Sequence, residues 1–192
     1  MQSVRNGTAI WLTIGLSVGL FFVAHYFEGN EKYTVVVVFQ SLETTVTILI
    51  LVATGFIGLA WRWRIFQGWL VTIPDISGPW SGNIVPLGNE DDEPNTIPMD
   101  VSVSQTLFSV VVVMNTSAMK SRSFAANLSR DSRTGEVQLV YTYSSDPQIP
   151  EREANPRHDG TAILSIQGPQ MRGRYFTDRR TRGQIELNRG VG

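Results

Sequence analysis

The sequence of 192 residues contains no cysteine and only two histidines, His25 and His158. Without cysteine, neither a disulfide framework nor a thiolate metal site can form. No HExxH, GxSxG or P-loop pattern is found, and no GxGxxG motif opens a helix after a strand. The carboxylates Glu90–Glu93 lack the spacing of a calcium-binding loop and are interpreted as a solvated loop. We therefore predict no catalytic residue, no metal site and no cofactor.

Charge is scarce in the first third of the chain. Residues 1–61 carry only five charged side chains, Arg5, Glu28, Glu31, Lys32 and Glu43. Residues 74–192 carry 12 basic and 14 acidic side chains, the usual density of a soluble domain. This contrast excludes a simple soluble globule. The slight acidic excess of the second region, without a long basic run, argues against binding of DNA or RNA.

Two uncharged segments predict a transmembrane hairpin over residues 1–64. Thr8–Phe27 has 20 residues, enough to cross about 30 Å of hydrocarbon as a helix. Thr44–Trp61 is a second such segment, which Val35–Phe39 can extend outward. A cleaved signal peptide is the alternative for the first segment, but that segment is longer than a signal core and a second one follows.

The basic residues predict the orientation of the hairpin. Arg5 precedes the first helix, Arg62 and Arg64 follow the second, and the connecting loop has only Lys32. By the positive-inside rule, both termini face the cytoplasm. Residues 65–73 are then a juxtamembrane linker.

Small residues on both predicted helices are candidate sites of self-association. Gly15 and Gly19 form a GxxxG pair, and Thr54 and Gly58 form a similar pair. The alternative is that glycine is simply common in membrane helices. Glu43 has two interpretations as well. It lies deep in the membrane if its helix begins near Tyr33, and at the interface if it begins near Ser41.

Residues 74–192 predict an all-β domain. After the turn at Pro74–Pro79, eight short segments alternate apolar and polar residues, as in an antiparallel up-and-down sheet. The alternation changes parity near Leu107, which indicates a bulge or a tight hairpin there. Around Arg122–Asp131, the alternation places Phe124, Ala126 and Leu128 on one face and Ser121, Ser123, Ala125 and Asn127 on the other.

Closure of these eight strands into a lipocalin-like barrel removes exposed edges and leaves room for one small ligand. A two-sheet sandwich is the alternative. Trp80 is interpreted as a plug of the barrel floor.

Arginine outnumbers lysine 14 to 2, and five of the arginines lie in Met171–Leu187. Guanidinium groups beside a tyrosine and hydroxyls are suited to phosphates and bases of an anionic nucleotide. Alternation puts Arg172 and Arg174 on one face and Tyr175 and Thr177 on the other. A solvated rim is the alternative interpretation.

An ordered series of motifs then makes the chain resemble a known family. These motifs are DISGPWSG (Asp75–Gly82), VSVSQTLFSVVV (Val101–Val112), SAMKSRSFAA (Ser117–Ala126), LVYTYSSDP (Leu139–Pro147), HDGTAILSI (His158–Ile166) and GRYFTDRRTRG (Gly173–Gly183). With two preceding membrane helices, they resemble the two-transmembrane, β-strand-rich effectors of cyclic-oligonucleotide-based anti-phage signalling systems (CBASS).

The resemblance implies a function. In that family a cytosolic eight-stranded barrel senses a cyclic dinucleotide made by a partner cGAS/DncV-like nucleotidyltransferase (CD-NTase). The implied outcome is oligomerisation of the helices, disruption of the bacterial inner membrane and abortive infection. The ligand-binding residues that we predict are Ser121, Ser123, Tyr141, Tyr143, Thr177, Arg179, Arg180 and Arg182. The alternatives are a membrane-tethered carrier of an apolar ligand and a structural membrane adaptor.

Overall fold

The computed structural model describes residues 4–27, 35–87, 96–131, 133–148 and 156–190. The acidic segment Glu90–Glu93 lies outside these residues. The chain divides into two compact units, one ending at Pro74 and the other beginning at Asp75.

The first unit contains both predicted helices. Helix α1 spans Asn6–Phe27 and helix α2 spans Val35–Gly58, so the Val35–Phe39 segment does extend the second helix. Both are long and apolar enough to cross a membrane. Hydroxyl groups along them bond to carbonyl oxygens of their own helix; Thr54 Oγ1, for example, donates to the Ile50 carbonyl at 2.7 Å. These hydroxyl groups therefore donate their protons without water.

The residue at which α2 begins distinguishes the two interpretations of Glu43. The helix already begins at Val35, about two turns before this residue. This agrees with the earlier of the two predicted starting points. The Glu43 carboxylate is exposed on the isolated chain, on the third turn of the helix.

The second unit is a closed antiparallel barrel, which confirms the predicted fold and rules out the sandwich. Each strand pairs with the next in sequence, and the last pairs with the first. The strands are β1 (Gly78–Pro86), β2 (Ile97–Gln105), β3 (Val110–Asn115), β4 (Met119–Arg130), β5 (Val137–Pro147), β6 (His158–Gln167), β7 (Gln170–Thr177) and β8 (Arg182–Arg189).

Apolar side chains fill most of the barrel by alternation along the strands. Along β5, Val137, Leu139 and Tyr141 are buried and Gln138 is exposed. At three glycines, Gly82, Gly173 and Gly183, neighbouring strands come so close that a side chain does not fit. A Cβ at Gly82 would collide with the Glu186 carbonyl of β8, and a Cβ at Gly173 would collide with the Ile163 carbonyl of β6. Such glycines permit the strong coiling that closes a small barrel.

The irregularities of the barrel differ in part from the sequence prediction. The parity change near Leu107 is a tight hairpin between β2 and β3, in which the Thr106 amide donates to the Ser109 carbonyl at 2.9 Å. The bulge is instead in β4, between Ser123 and Ala125.

The bulge corrects the predicted faces of β4. Ser121 and Ser123 point inward together with Leu128, whereas Phe124 is 67% exposed on the outside. The prediction that Phe124 shares a face with Leu128 was therefore wrong, because an extra residue reverses the alternation.

One end of the barrel, where the chain enters at Gly78, is closed by Trp80. This side chain is 1% exposed, which confirms its interpretation as a plug. Its indole Nε1 donates to the Ile76 carbonyl at 3.0 Å, and the Ile76 amide donates to Oε1 of buried Gln105 at 2.8 Å. Strands β1 and β2 are thereby tied to the entering chain.

The last strand completes the closure. The Arg189 guanidinium donates to the carbonyl oxygens of Asp75 at 3.2 Å and Ser77 at 2.8 Å. Its Cζ also lies 5.5 Å from the centroid of the Trp80 ring, within cation–π range. Residues from β1, β2 and β8 therefore hold this end shut.

Candidate ligand-binding cavity

A cavity of about 270 Å³ opens at the other end of the barrel. Strands β1 to β4 supply mainly apolar lining residues, among them Ile84, Ile97, Met114 and Met119. Strands β5 to β8 and their turns supply a more polar wall. Its polar members are Tyr143, Ser145, His158, Tyr175, Thr177, Arg179 and Thr181. One wall is thus suited to apolar contact and the other to hydrogen bonding.

Two tyrosines of the polar wall lie over glycines of neighbouring strands. A Cβ at Gly160 would be 2.6 Å from the Tyr143 ring, and a Cβ at Gly183 would be 2.7 Å from the Tyr175 ring. The HDG and TRG motifs therefore supply the space that the aromatic rings occupy.

Both phenols remain protonated at neutral pH. Burial raises the pKa of Tyr143 well above its usual value, and the nearby Tyr175 phenol and Asp178 carboxylate add to that increase. Burial also raises the pKa of Tyr175. Each hydroxyl can therefore donate a hydrogen bond.

Two pairs of hydroxyls border the cavity. Ser121 Oγ on β4 and Ser145 Oγ on β5 are 2.6 Å apart and buried. Thr177 Oγ1 and Thr181 Oγ1 face each other at 2.6 Å across the turn between β7 and β8. One proton of each pair forms the internal bond, so the other remains available to a ligand.

Arg179 lies at the cavity mouth, in that turn. Its Nη1 is 3.3 Å from the Pro156 carbonyl oxygen and 3.3 Å from His158 Nδ1. The turn bends sharply because Arg180 adopts the left-handed conformation, with φ of 63°. Arg179 is the only permanently charged residue among the described residues that line the cavity.

The structure separates the predicted site residues into two groups. Four of them line the cavity, namely Ser121, Tyr143, Thr177 and Arg179. The other four do not. Tyr141 lies one layer deeper, 2% exposed, with its ring centroid 5.8 Å from that of Tyr143.

The remaining three predicted residues point elsewhere or are already engaged. Ser123 Oγ accepts a hydrogen bond from the Val112 amide at 2.9 Å. Arg180 is exposed in the turn. Arg182 is on the outer surface of β8, opposite the exposed Phe176.

Sequence reasoning missed other lining residues, notably Ser145, His158 and Thr181. The signal was present for Ser145, which continues the inward alternation of Tyr141 and Tyr143. His158 likewise shares the inward face of Gly160, at the start of β6.

The described residues contain no group of three or more histidine, aspartate or glutamate side chains that could hold a metal ion. The cavity offers a ligand hydroxyls, aromatic rings, the His158 imidazole and one guanidinium, opposite an apolar wall.

Comparisons with known proteins agree with this chemistry. The family model of the Cap15 cyclic dinucleotide receptor domain matches residues 71–189. The chain is also similar to CD-NTase-associated protein 15 of Staphylococcus schleiferi, with 26% identity over 148 residues. That match covers 77% of this chain and 78% of the relative. The chain therefore belongs to the Cap15 family of cyclic dinucleotide receptors, the CBASS effectors that its sequence resembles.

Proposed function

We propose that this protein is a CBASS membrane effector whose barrel mouth binds a cyclic dinucleotide made by a partner CD-NTase. The observation that carries the proposal is the Arg179 guanidinium at the mouth of a cavity that Tyr143 and Tyr175 line. A guanidinium binds phosphate oxygens in a fork, and tyrosine rings stack on bases.

The size of the cavity suggests how such a ligand binds. Pockets for small ligands are typically about 300–1,000 Å³. A cavity of about 270 Å³ therefore accepts part of a cyclic dinucleotide. We place a base against the tyrosines and a phosphodiester at the mouth, where Arg179 and the Thr177–Thr181 hydroxyls can donate to it.

Calorimetric titration of the full chain in detergent micelles with a panel of cyclic dinucleotides tests this function. Loss of a hydrogen bond to a charged group costs about 1.5–3 kcal/mol. Arg179→Ala should therefore weaken binding about 10–150-fold. Arg182→Ala, three residues away on the outer surface, is the matched control and should bind nearly as the native protein does. If no cyclic dinucleotide binds, the proposed function is wrong. If both variants lose the same affinity, the binding site extends to the outer surface of the barrel.

The proposal extends to the two helices, which we place in the inner membrane with both termini in the cytoplasm. One hairpin cannot enclose a water-filled path, so membrane disruption and abortive infection require several chains. A Cβ at Gly15 or Gly19 would meet no described atom within 4 Å, so their face of α1 is open for another helix. The buried Ala24 lies about two and a half turns from Gly15, on the opposite face.

Ligand binding must favour the associated state, because a ligand with equal affinity for both states shifts nothing. Dye-loaded liposomes that contain the full chain should leak only when the correct nucleotide is present. Gly15→Leu combined with Gly19→Leu should reduce leakage without weakening nucleotide binding. Gly7→Leu, near the start of the same helix, is the control. Leakage by a protein that stays monomeric contradicts association.

A further inference from the structure

The side chain of His158 forms a triangle of polar atoms with Arg179 and Pro156 at the cavity mouth. Arg179 Nη1 is 3.3 Å from both His158 Nδ1 and the Pro156 carbonyl oxygen. His158 Nδ1 is itself 3.4 Å from that same carbonyl. Arg179 Nη1 can only donate and the Pro156 oxygen can only accept, whereas His158 Nδ1 accepts when it is unprotonated and donates when it is protonated. The hydrogen bonds of this arrangement therefore depend on the charge of the imidazole.

The chemistry of the three groups fixes how the triangle works. A guanidinium can only donate, so it bonds to His158 Nδ1 only when that nitrogen is unprotonated. A protonated Nδ1 instead donates to the Pro156 carbonyl and competes with Arg179 for this oxygen. It also places a second positive charge beside the guanidinium, which repels it.

Other charged groups surround this triangle without forming part of it. On the outer side, Arg157 Nε lies 3.6 Å from Asp146 Oδ1, and Asp159 Oδ1 accepts a bond from Ser144 Oγ at 2.7 Å. The titratable and charged groups around His158 on its own and the neighbouring elements are Tyr143, Asp146, Arg157, Asp159, Tyr175, Asp178, Arg179, Arg180 and Arg182. The two tyrosines stay neutral near pH 7 because burial raises their pKa values.

We propose that His158 is a binding residue that controls Arg179 by its protonation state. In the empty barrel, neutral His158 and the Pro156 carbonyl hold the guanidinium at the mouth. When His158 takes up a proton, it releases Arg179 toward an anionic ligand and becomes a second cation of the site. This inference rests on the proposed nucleotide site and adds its regulation by pH.

The sign of the effect follows from linkage. Both consequences of protonation favour an anionic ligand, so binding of the ligand in turn favours protonation. Imidazole ordinarily changes charge between about pH 5 and 8, whereas phosphodiesters stay ionised there. Affinity should therefore increase as the pH falls through this range, by up to about tenfold per pH unit for one linked proton.

A ligand-free measurement tests the triangle itself. In nuclear magnetic resonance spectra of the full chain in micelles, the guanidinium resonances of Arg179 should change as the pH falls from about 8 to 5, because a protonated His158 Nδ1 no longer accepts from Nη1. The guanidinium resonances of Arg180, in the same turn but off the cavity, should not change, and those of Arg179 should not change in His158→Asn. Arg179 resonances that do not respond to pH in the native protein overturn the proposal, whether or not any nucleotide binds.

Calorimetry with the cyclic dinucleotide that binds best then tests the linkage. Titrations in two buffers of different ionisation enthalpy measure the protons taken up, which should lie between zero and one per ligand near pH 6.5. In His158→Asn the amide oxygen keeps an acceptor that does not titrate, so proton uptake and the pH dependence of affinity should both disappear. His25→Asn, the other histidine, should retain both. Uptake that persists in His158→Asn overturns the proposal, whereas absence of binding at every pH contradicts the nucleotide site instead.

Discussion

The two ends of the barrel use polar residues in opposite ways. At the closed end, the Trp80 indole and the Gln105 amide are buried and bonded to main-chain groups of Ile76. At the open end, Arg179 bonds weakly, at 3.3 Å, to groups that remain accessible. The buried partners at the closed end are inaccessible to a ligand, whereas a ligand can replace the accessible partners at the mouth. Changes at the closed end should therefore alter stability, and changes at the mouth should alter binding.

The largest effect should come from Trp80→Ala at the closed end. Removal of this fully buried side chain leaves a cavity and should lower the free energy of unfolding by about 3–5 kcal/mol. Denaturant titration of the full chain measures the change, with the exposed Trp63→Ala as the control. If Trp80→Ala weakened nucleotide binding yet left stability intact, the closed end would belong to the site.

Gln105→Ala should have the next largest effect. It leaves the buried Ile76 amide without the acceptor at 2.8 Å, which costs about 1–3 kcal/mol of unfolding free energy. Gln184→Ala on the exposed face of β8 should change the same quantity by no more than about 0.5 kcal/mol. Equal effects of the two substitutions would mean that the buried bond contributes nothing.

The sequence predicted the regular part of this barrel because alternation alone assigns the faces of an unbroken strand. It failed for β4, where the bulge at Ser123–Ala125 depends on pairing with β5, which a single strand does not encode. The roles of the arginines also depend on the folded structure and not on the sequence pattern alone. Which of Arg179, Arg180 and Arg182 reaches the cavity is decided by the left-handed turn at Arg180, not by composition.

At the mouth, Gly160→Ala should weaken nucleotide binding about tenfold, or 1.4 kcal/mol. The new methyl group would lie 2.6 Å from the Tyr143 ring, so the ring must move away from the place it holds in the cavity. Gly190→Ala, at the closed end with 3.3 Å to its nearest neighbour, is the control and should bind normally. Calorimetry measures the affinities. Native affinity in Gly160→Ala would show that the position of Tyr143 does not matter to the ligand.

The smallest effect at neutral pH should come from Tyr141→Phe, between the two ends. The Tyr141 hydroxyl has no hydrogen-bond partner among the described residues, so its removal should leave the unfolding free energy unchanged or raise it by up to about 1 kcal/mol. Nucleotide affinity should not change, because Tyr141 does not line the cavity. A lower affinity would mean that the hydroxyl reaches the ligand.

Alkaline pH gives Tyr141→Phe a second and sharper readout. Burial raises the pKa of Tyr141 far above its usual value near 10, with a smaller contribution from Tyr143. Above about pH 10 the unfolded chain loses the phenol proton while the folded chain keeps it. The stability that this tyrosine contributes is thus complete below that pH and decreases as the pH rises. In denaturant titrations at about pH 7 and pH 11, Tyr141→Phe should therefore lose less stability than the native protein. An equal loss in both would show that Tyr141 is not held protonated by burial, and that its layer of the barrel is as open to solvent as the mouth.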